Sequence, residues 1–150
     1  MTHLRTLVAA LIGLFILLPA AACADISTSI RAEVERIRSG ECASVADCPI
    51  ASTIVLPALY EKYDYQPIWA NADSVRQLVA AIESSHLDGL NPEDSHLGEL
   101  SRLQAELSSG GNSATQASLD LVQTESLERL GYHLMIGKVD PESLDGNWNM

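Results

Sequence analysis

Basic residues are scarce in this chain. Nine lysines and arginines stand against twenty aspartates and glutamates, a formal charge of −11 over 150 residues. A balance this acidic argues against nucleic acid as a partner and against adsorption to anionic lipid. Long apolar runs are also lacking. The longest, Leu7 to Leu18, would rise only about 18 Å as a helix, against a hydrocarbon core of about 30 Å. This excludes a membrane-spanning helix in the mature chain. No segment alternates apolar and polar residues long enough to read as a strand, so the class expected is all-α. There is no Gly-x-Ser-x-Gly, no glycine-rich phosphate loop and no internal repeat. Those absences remove the usual nucleophile-elbow and nucleotide-binding chemistries.

What the amino terminus does carry is an export signal. Arg5 precedes the apolar run, Pro19 breaks it, and Ala20, Ala21, Ala22, Cys23 and Ala24 follow. Basic, apolar, then small is the order of a secretory signal peptide. Ala22 and Ala24 fit cleavage before Asp25, which makes residues 1–24 the leader and places the mature chain in the periplasm. Lipid attachment at Cys23 is the alternative, since small residues also precede it. Loss of Arg5 with the leader would make the mature protein more acidic still.

Removing Cys23 leaves Cys42 and Cys48. Two cysteines six apart in an exported chain are expected to form a disulfide, worth about 2–2.5 kcal/mol for so small a loop. A redox pair would be spaced more closely, and a zinc site would need further ligands.

About five helices are expected after the leader. The first, capped by Ser27 or Thr28, carries Ile30, Val34 and Ile37 on one face and ends at Gly40. With the cystine loop it makes a unit over residues 25–50. A second helix starts at Ser52 or Thr53 and presents Val55, Leu56, Leu59, Tyr60 and Tyr63. Residues 64–71 form an extended connector that buries its aromatics, because Pro67 forbids a helix interior. Asp73 or Ser74 caps a third helix with Val75, Leu78, Val79 and Ile82 in register. Asp88-Gly89 turns the chain, and Asn91-Pro92-Glu93-Asp94 opens a fourth helix with Leu97, Leu100, Leu103 and Leu107 inward. The longest helix, from about Ala114 to Ile136, is apolar over more than half its circumference and belongs at the centre. Gly137 ends it, and Asp140-Pro141 starts a further turn.

Three kinds of chemistry can be weighed on this frame. His86, Asp88, Asp94 and His96 lie within one short stretch and could ligate zinc, but their loose spacing suits exposed polar residues around a turn. Carboxylate neighbours such as Glu33 with Glu35, or Glu93 with Asp94, point in different directions on a helix and fit solvated faces better than acid–base work. Tyr60, Tyr63, Tyr65 and Trp69 are spaced for core packing rather than for stacking on a sugar. No catalytic residue, metal or cofactor is assigned.

Three segments taken in order resemble the scaffold domain of large periplasmic murein L,D-transpeptidases. They are Tyr60 to Trp69, containing Tyr65-Gln66-Pro67-Ile68-Trp69; Leu87-Asp88-Gly89-Leu90-Asn91-Pro92-Glu93-Asp94, where Ser95 replaces an aromatic; and Leu119-Asp120-Leu121 followed by Gly137-Lys138-Val139-Asp140-Pro141, with Trp148 beyond. The resemblance marks Tyr65, Pro67, Trp69, Asp88, Gly89, Leu90, Pro92, Gly137, Val139, Asp140, Pro141 and Trp148 as structural positions in a helical scaffold domain over residues 51–150, cut short at its end. Enzymes of that family cross-link peptidoglycan through a cysteine in a Ser-His-Gly-Cys segment, which this chain lacks. The resemblance therefore implies the non-catalytic scaffold portion of such an enzyme. Its partners would be catalytic and peptidoglycan-binding domains in cis or in trans, and peptidoglycan itself. The rival readings are a stand-alone envelope adaptor, periplasmic or lipid-anchored, and a small metal-dependent hydrolase built on the His86–His96 stretch.

Overall fold

The computed structural model describes residues 19–41 and 44–137, with the backbone alone for residues 19–25. The apolar leader run, Cys42, Lys138, Val139, Asp140, Pro141 and Trp148 lie outside the described residues, and so does the expected turn at Asp140-Pro141. Within them the class is all-α, as expected. Five α-helices, α1 (Pro19–Ser39), α2 (Val55–Lys62), α3 (Ala72–Ser84), α4 (Leu97–Ser108) and α5 (Ser113–Ile136), are joined by two 3-10 turns and one small hairpin. No helix among the described residues is long and apolar enough to cross a membrane.

α5 is the axis of the bundle. The other four helices and the hairpin all contact it. Every residue from Leu119 to Ser126 is buried, so two full turns are enclosed on all sides, as the broad apolar sector predicts. Asn112 caps it, its side chain accepting from the Thr115 amide at 3.1 Å. Only the last turns escape the packing: Leu127, Leu134 and Met135, expected in the core, are exposed, as are Tyr132 and Ile136.

α1 lies along α5 and buries Ile26, Ile30, Val34 and Ile37, spaced four, four and three. It begins at Pro19 rather than at a Ser27 or Thr28 cap. Ser27 sits inside it, with its buried hydroxyl unpartnered. α2 buries Leu56, Pro57 and Tyr60 and leaves Val55 and Tyr63 exposed, so its inward face is narrower than expected. Its N-terminal position is Ile54, and no side chain caps it.

Residues 64 and 65 are not extended. Asp64 and Tyr65 both take left-handed backbone, at φ 51° and 57°. Such a conformation costs about 1–3 kcal/mol for a non-glycine residue and persists only where surroundings impose it. Tyr65 is buried, its ring lies 4.2 Å under the Arg31 guanidinium, and its hydroxyl donates to Glu35 Oε1 at 3.3 Å. Asn71, not Asp73 or Ser74, caps α3, accepting from both of their amides. Asn91-Pro92 opens a 3-10 turn over Pro92–Ser95, and left-handed His96 separates that turn from α4. Gly89, at φ 79°, makes the reversal between the two 3-10 turns, a conformation that glycine takes without strain.

The expected cystine loop is a hairpin instead: β1 (Ser44–Val45) pairs antiparallel with β2 (Cys48–Pro49), Val45 opposite Cys48. Ala46 and Asp47 between them both have positive φ, the geometry of a two-residue hairpin turn. Cys48 points into the core as a free thiol, so the Cys42–Cys48 disulfide is not formed. Val45 and Cys48, opposite each other in the hairpin, are both buried in the core. Burial, reinforced by the Glu99 charge, pushes this thiol up to about 11. At pH 8 its thiolate fraction is therefore about a thousandth. Iodoacetamide at pH 8 should leave Cys48 unlabelled in the native protein and label it promptly in urea, as read by peptide mass mapping. Rapid native labelling would contradict the packing.

Candidate functional site

Two carboxylates on α5 are buried, and both bind backbone. Asp120 is enclosed between α5, α2 and the segment that follows α2. Its Oδ1 accepts from the Tyr60 hydroxyl at 2.6 Å and from the Ile68 amide at 3.0 Å. Its Oδ2 accepts from the Trp69 amide at 3.0 Å. One turn later, the Thr124 hydroxyl lies 2.9 Å from the Tyr60 oxygen and accepts from Trp69 Nε1 at 2.9 Å. The Pro67–Trp69 segment makes no regular structure, so its amides need acceptors, and Asp120 supplies them. Burial, then the Asp120 charge, holds the Tyr60 hydroxyl well above its ordinary range, so it stays a donor.

Glu125, with no exposed surface, fastens the other irregular segment. It accepts from the Ala51 amide at 2.9 Å and the Ser52 amide at 3.2 Å, and pairs with Arg129 Nε at 2.7 Å. Arg129 in turn donates to the Pro49 carbonyl at 3.2 Å. Burial alone would raise the Glu125 carboxyl, but the Ala51 amide and Arg129 outweigh it and hold it below the ordinary carboxylate range. His96 packs beside this cluster, 9% exposed, its Nε2 unpartnered. Burial and then Arg129 lower its affinity for a proton.

The other candidate carboxylates are paired within the fold. Glu33 pairs with Arg36, Glu35 with Arg38, and Glu93 accepts from the Gly98 amide. The His86–His96 stretch is not assembled into a metal site: His86 is exposed, with Nδ1 2.6 Å from the Glu83 carbonyl, whereas His96 is buried against Pro49 and Arg129. Among the described residues no three His, Cys, Asp or Glu are placed to hold a metal ion. The hydrolase reading loses its ligands.

The feature that does suit binding is a groove of about 960 Å³ between α3, α4 and α5. Trp69, Val75 and Val79 form one wall, Leu100 and Leu107 the other, and Leu119 the floor. Trp69, Val75, Val79 and Leu107 are only half-buried, so an apolar partner could cover them further. Arg76 and Glu83 stand on the rim of α3, with Gln104 and Gln116 opposite.

The resemblance-marked positions divide accordingly. Tyr65, Pro67 and Trp69 come together around the Asp120 latch and the head of the groove. Asp88, Gly89, Leu90 and Pro92 build the reversal before α4, with Leu90 half-buried against the core. Gly137, at φ 86°, ends α5. Asp120, within the resembling Leu119-Asp120-Leu121 segment, and Thr124 and Glu125 beyond it are structural residues that motif and spacing alone do not reveal. A run of polar residues inside an otherwise apolar central helix is the signal that could have found them.

Replacing Asp120 by alanine leaves the part-buried amides of Ile68 and Trp69 unpaired, each costing about 1–3 kcal/mol, and removes the shortest bond of the Tyr60 hydroxyl, which keeps the residue-120 carbonyl and Thr124. Urea denaturation should show a loss of about 3–5 kcal/mol. Asp120→Asn, which keeps one acceptor oxygen, should lose less; an equal loss would mean the pairing of both oxygens is unimportant. Acid should act through the other cluster. His96, with its proton affinity lowered by folding, withdraws stability as pH falls below about 6.5, where the unfolded imidazole charges. Glu125, its folded pKa depressed, contributes stability above about 4.3 and loses it as pH falls through its lower folded value. Midpoints of urea transitions from pH 7 to 3 should fall in both windows. His96→Phe should flatten the upper one and Glu125→Gln the lower.

A comparison with protein-family models matches residues 55–150 to the Scaffold domain. No curated protein and no solved structure matches the chain. The match runs from the start of α2 through the Asp120 latch and the groove, and the chain belongs to the Scaffold domain family.

Proposed function

We propose that this protein is the non-catalytic scaffold portion of a periplasmic L,D-transpeptidase, and that it serves peptidoglycan cross-linking by holding the catalytic domain in place. The observation that carries the reading is the half-covered apolar groove between α3, α4 and α5, in a chain whose family is defined as a scaffold. Family membership implies association with other domains. The three resembling segments point to transpeptidases as the owners of those domains. The leader sequence directs the chain across the inner membrane, with cleavage after Ala24 and lipidation of Cys23 as the two processing routes. The peptidoglycan cross-link itself would be made by a Ser-His-Gly-Cys domain and not by any residue here. Each buried carboxylate is already committed to backbone amides, which leaves none poised for acid–base work.

The partner is sought in the source genome as a reading frame, continuous with this one or separate, that encodes Ser-His-Gly-Cys. Its purified catalytic domain should bind this chain in calorimetry. Val79→Arg together with Leu107→Arg should weaken binding at least about tenfold, equivalent to about 1.4 kcal/mol. Co-sedimentation with peptidoglycan in the absence of any such binding would instead support a stand-alone envelope adaptor.

A further inference from the structure

The groove between α3, α4 and α5 has a floor that is not wholly apolar. Gln116, Leu119 and Gln123, spaced three and four, follow one another along the face of α5 that forms it. Gln116 is exposed, but Gln123 retains only 4% of its surface. Among the described residues the Gln123 side-chain amide, with its carbonyl acceptor and its NH2 donors, makes no hydrogen bond. Asp120 also lines the floor, but its oxygens are committed to the Tyr60 hydroxyl and to the Ile68 and Trp69 amides. Burying an amide without a partner destabilises a fold. An apolar side chain of similar size would fill the same place without that penalty. Gln123 is thus a buried donor and acceptor held ready on the floor of a binding groove.

We infer that the catalytic domain enters this groove as an extended segment of apolar residues and pairs one of its backbone amides with Gln123. The inference rests on the reading of the groove as the docking surface. A peptide group offers one N–H and one C=O, which match the acceptor and the donors of Gln123, and an extended segment leaves those groups open. A helix closes them on itself and presents side chains alone. The walls agree with the floor. Val75 and Val79 on α3 face Leu100 and Leu107 on α4, so both sides of the groove are apolar. An extended chain sends successive side chains to opposite sides, one set to each wall, with its backbone over the floor. From Ala72 to Glu83 the α3 wall rises about 16 Å, the length of about five extended residues. The rim of α3 carries one charge of each sign, Arg76 and Glu83, and so selects for neither.

Acetyl-Ala-Val-Ala-Leu-Ala-amide serves as a neutral peptide probe, and benzene as an apolar probe without hydrogen-bonding groups. In proton–nitrogen correlation spectra of the labelled full chain, the peptide should move the side-chain NH2 signals of Gln123, identified by their loss in Gln123→Leu, together with the backbone signals of Val75 and Val79. Gln123→Leu should raise the urea midpoint, weaken the peptide at least about fivefold, and leave benzene binding unchanged or tighter. Gln123 signals that the peptide does not move, or peptide binding that Gln123→Leu does not weaken, would overturn the inference. The catalytic domain separates this failure from failure of the docking reading. If Val79→Arg with Leu107→Arg weakens its binding and Gln123→Leu does not, the extended segment is wrong and the groove remains the docking surface. Binding that the double variant leaves intact would remove the docking reading, and the inference with it.

Discussion

Buried hydrogen-bonded carboxylates on the central helix hold this molecule together. The five helices could pack by their apolar stripes alone, but the amides of Ala51, Ser52, Ile68 and Trp69 lie in irregular segments and find their acceptors in side chains. An amide buried without an acceptor costs more than a made hydrogen bond contributes. Asp120 and Glu125 answer that requirement at two points along α5. A carboxylate can accept two backbone amides at once, one on each oxygen, which no neutral hydrogen-bonding side chain does as well. The charge is then tolerable because it is paired. Arg129 neutralises Glu125, and Tyr60 with two amides surrounds Asp120.

That arrangement also explains the character of the protein. Many of its polar and charged groups are spent on architecture: ion pairs along α1 and α4, capping asparagines, and the two buried acids. Among the described residues, much of the outward-facing apolar surface gathers in two places. The groove headed by Trp69 lies where the Asp120 latch fixes one wall, so the fastening of the 67–69 segment and the shape of the groove are one feature. The exposed end of α5 is the second. A domain whose chemistry is inward and whose surface deficits are apolar suits a role of holding other polypeptide.

The helices were legible because their signals are local. Ile30, Val34 and Ile37, or Leu100 and Leu103, repeat with the period of the helix that forms them, and each buries as expected. Asp88-Gly89 marked the chain reversal, whereas Asn91-Pro92, expected to open the fourth helix, opens a 3-10 turn ahead of it. The hairpin was not legible. Its turn residues, Ala46 and Asp47, include none of the glycines that usually announce positive φ, and strands of two residues carry no alternation. The cysteine pair misled for a related reason: spacing reports loop length, whereas the direction of the Cys48 side chain follows from its pairing with Val45.

By itself the sequence determined the all-α class, the axial place of α5 and the membership of residues 55–150 in a scaffold family, because each depends on composition and on spacings within a few turns. Tertiary structure decided which polar residues are structural. Asp120 meets Tyr60, Ile68 and Trp69 across 51 to 60 residues, and Glu125 meets Ala51 and Ser52 across more than 70. Along the chain an aspartate or glutamate on a helix reads as a solvated face; only the packing of α1, α2 and the hairpin around α5 turns that face inward and makes its charge the fastening of the fold.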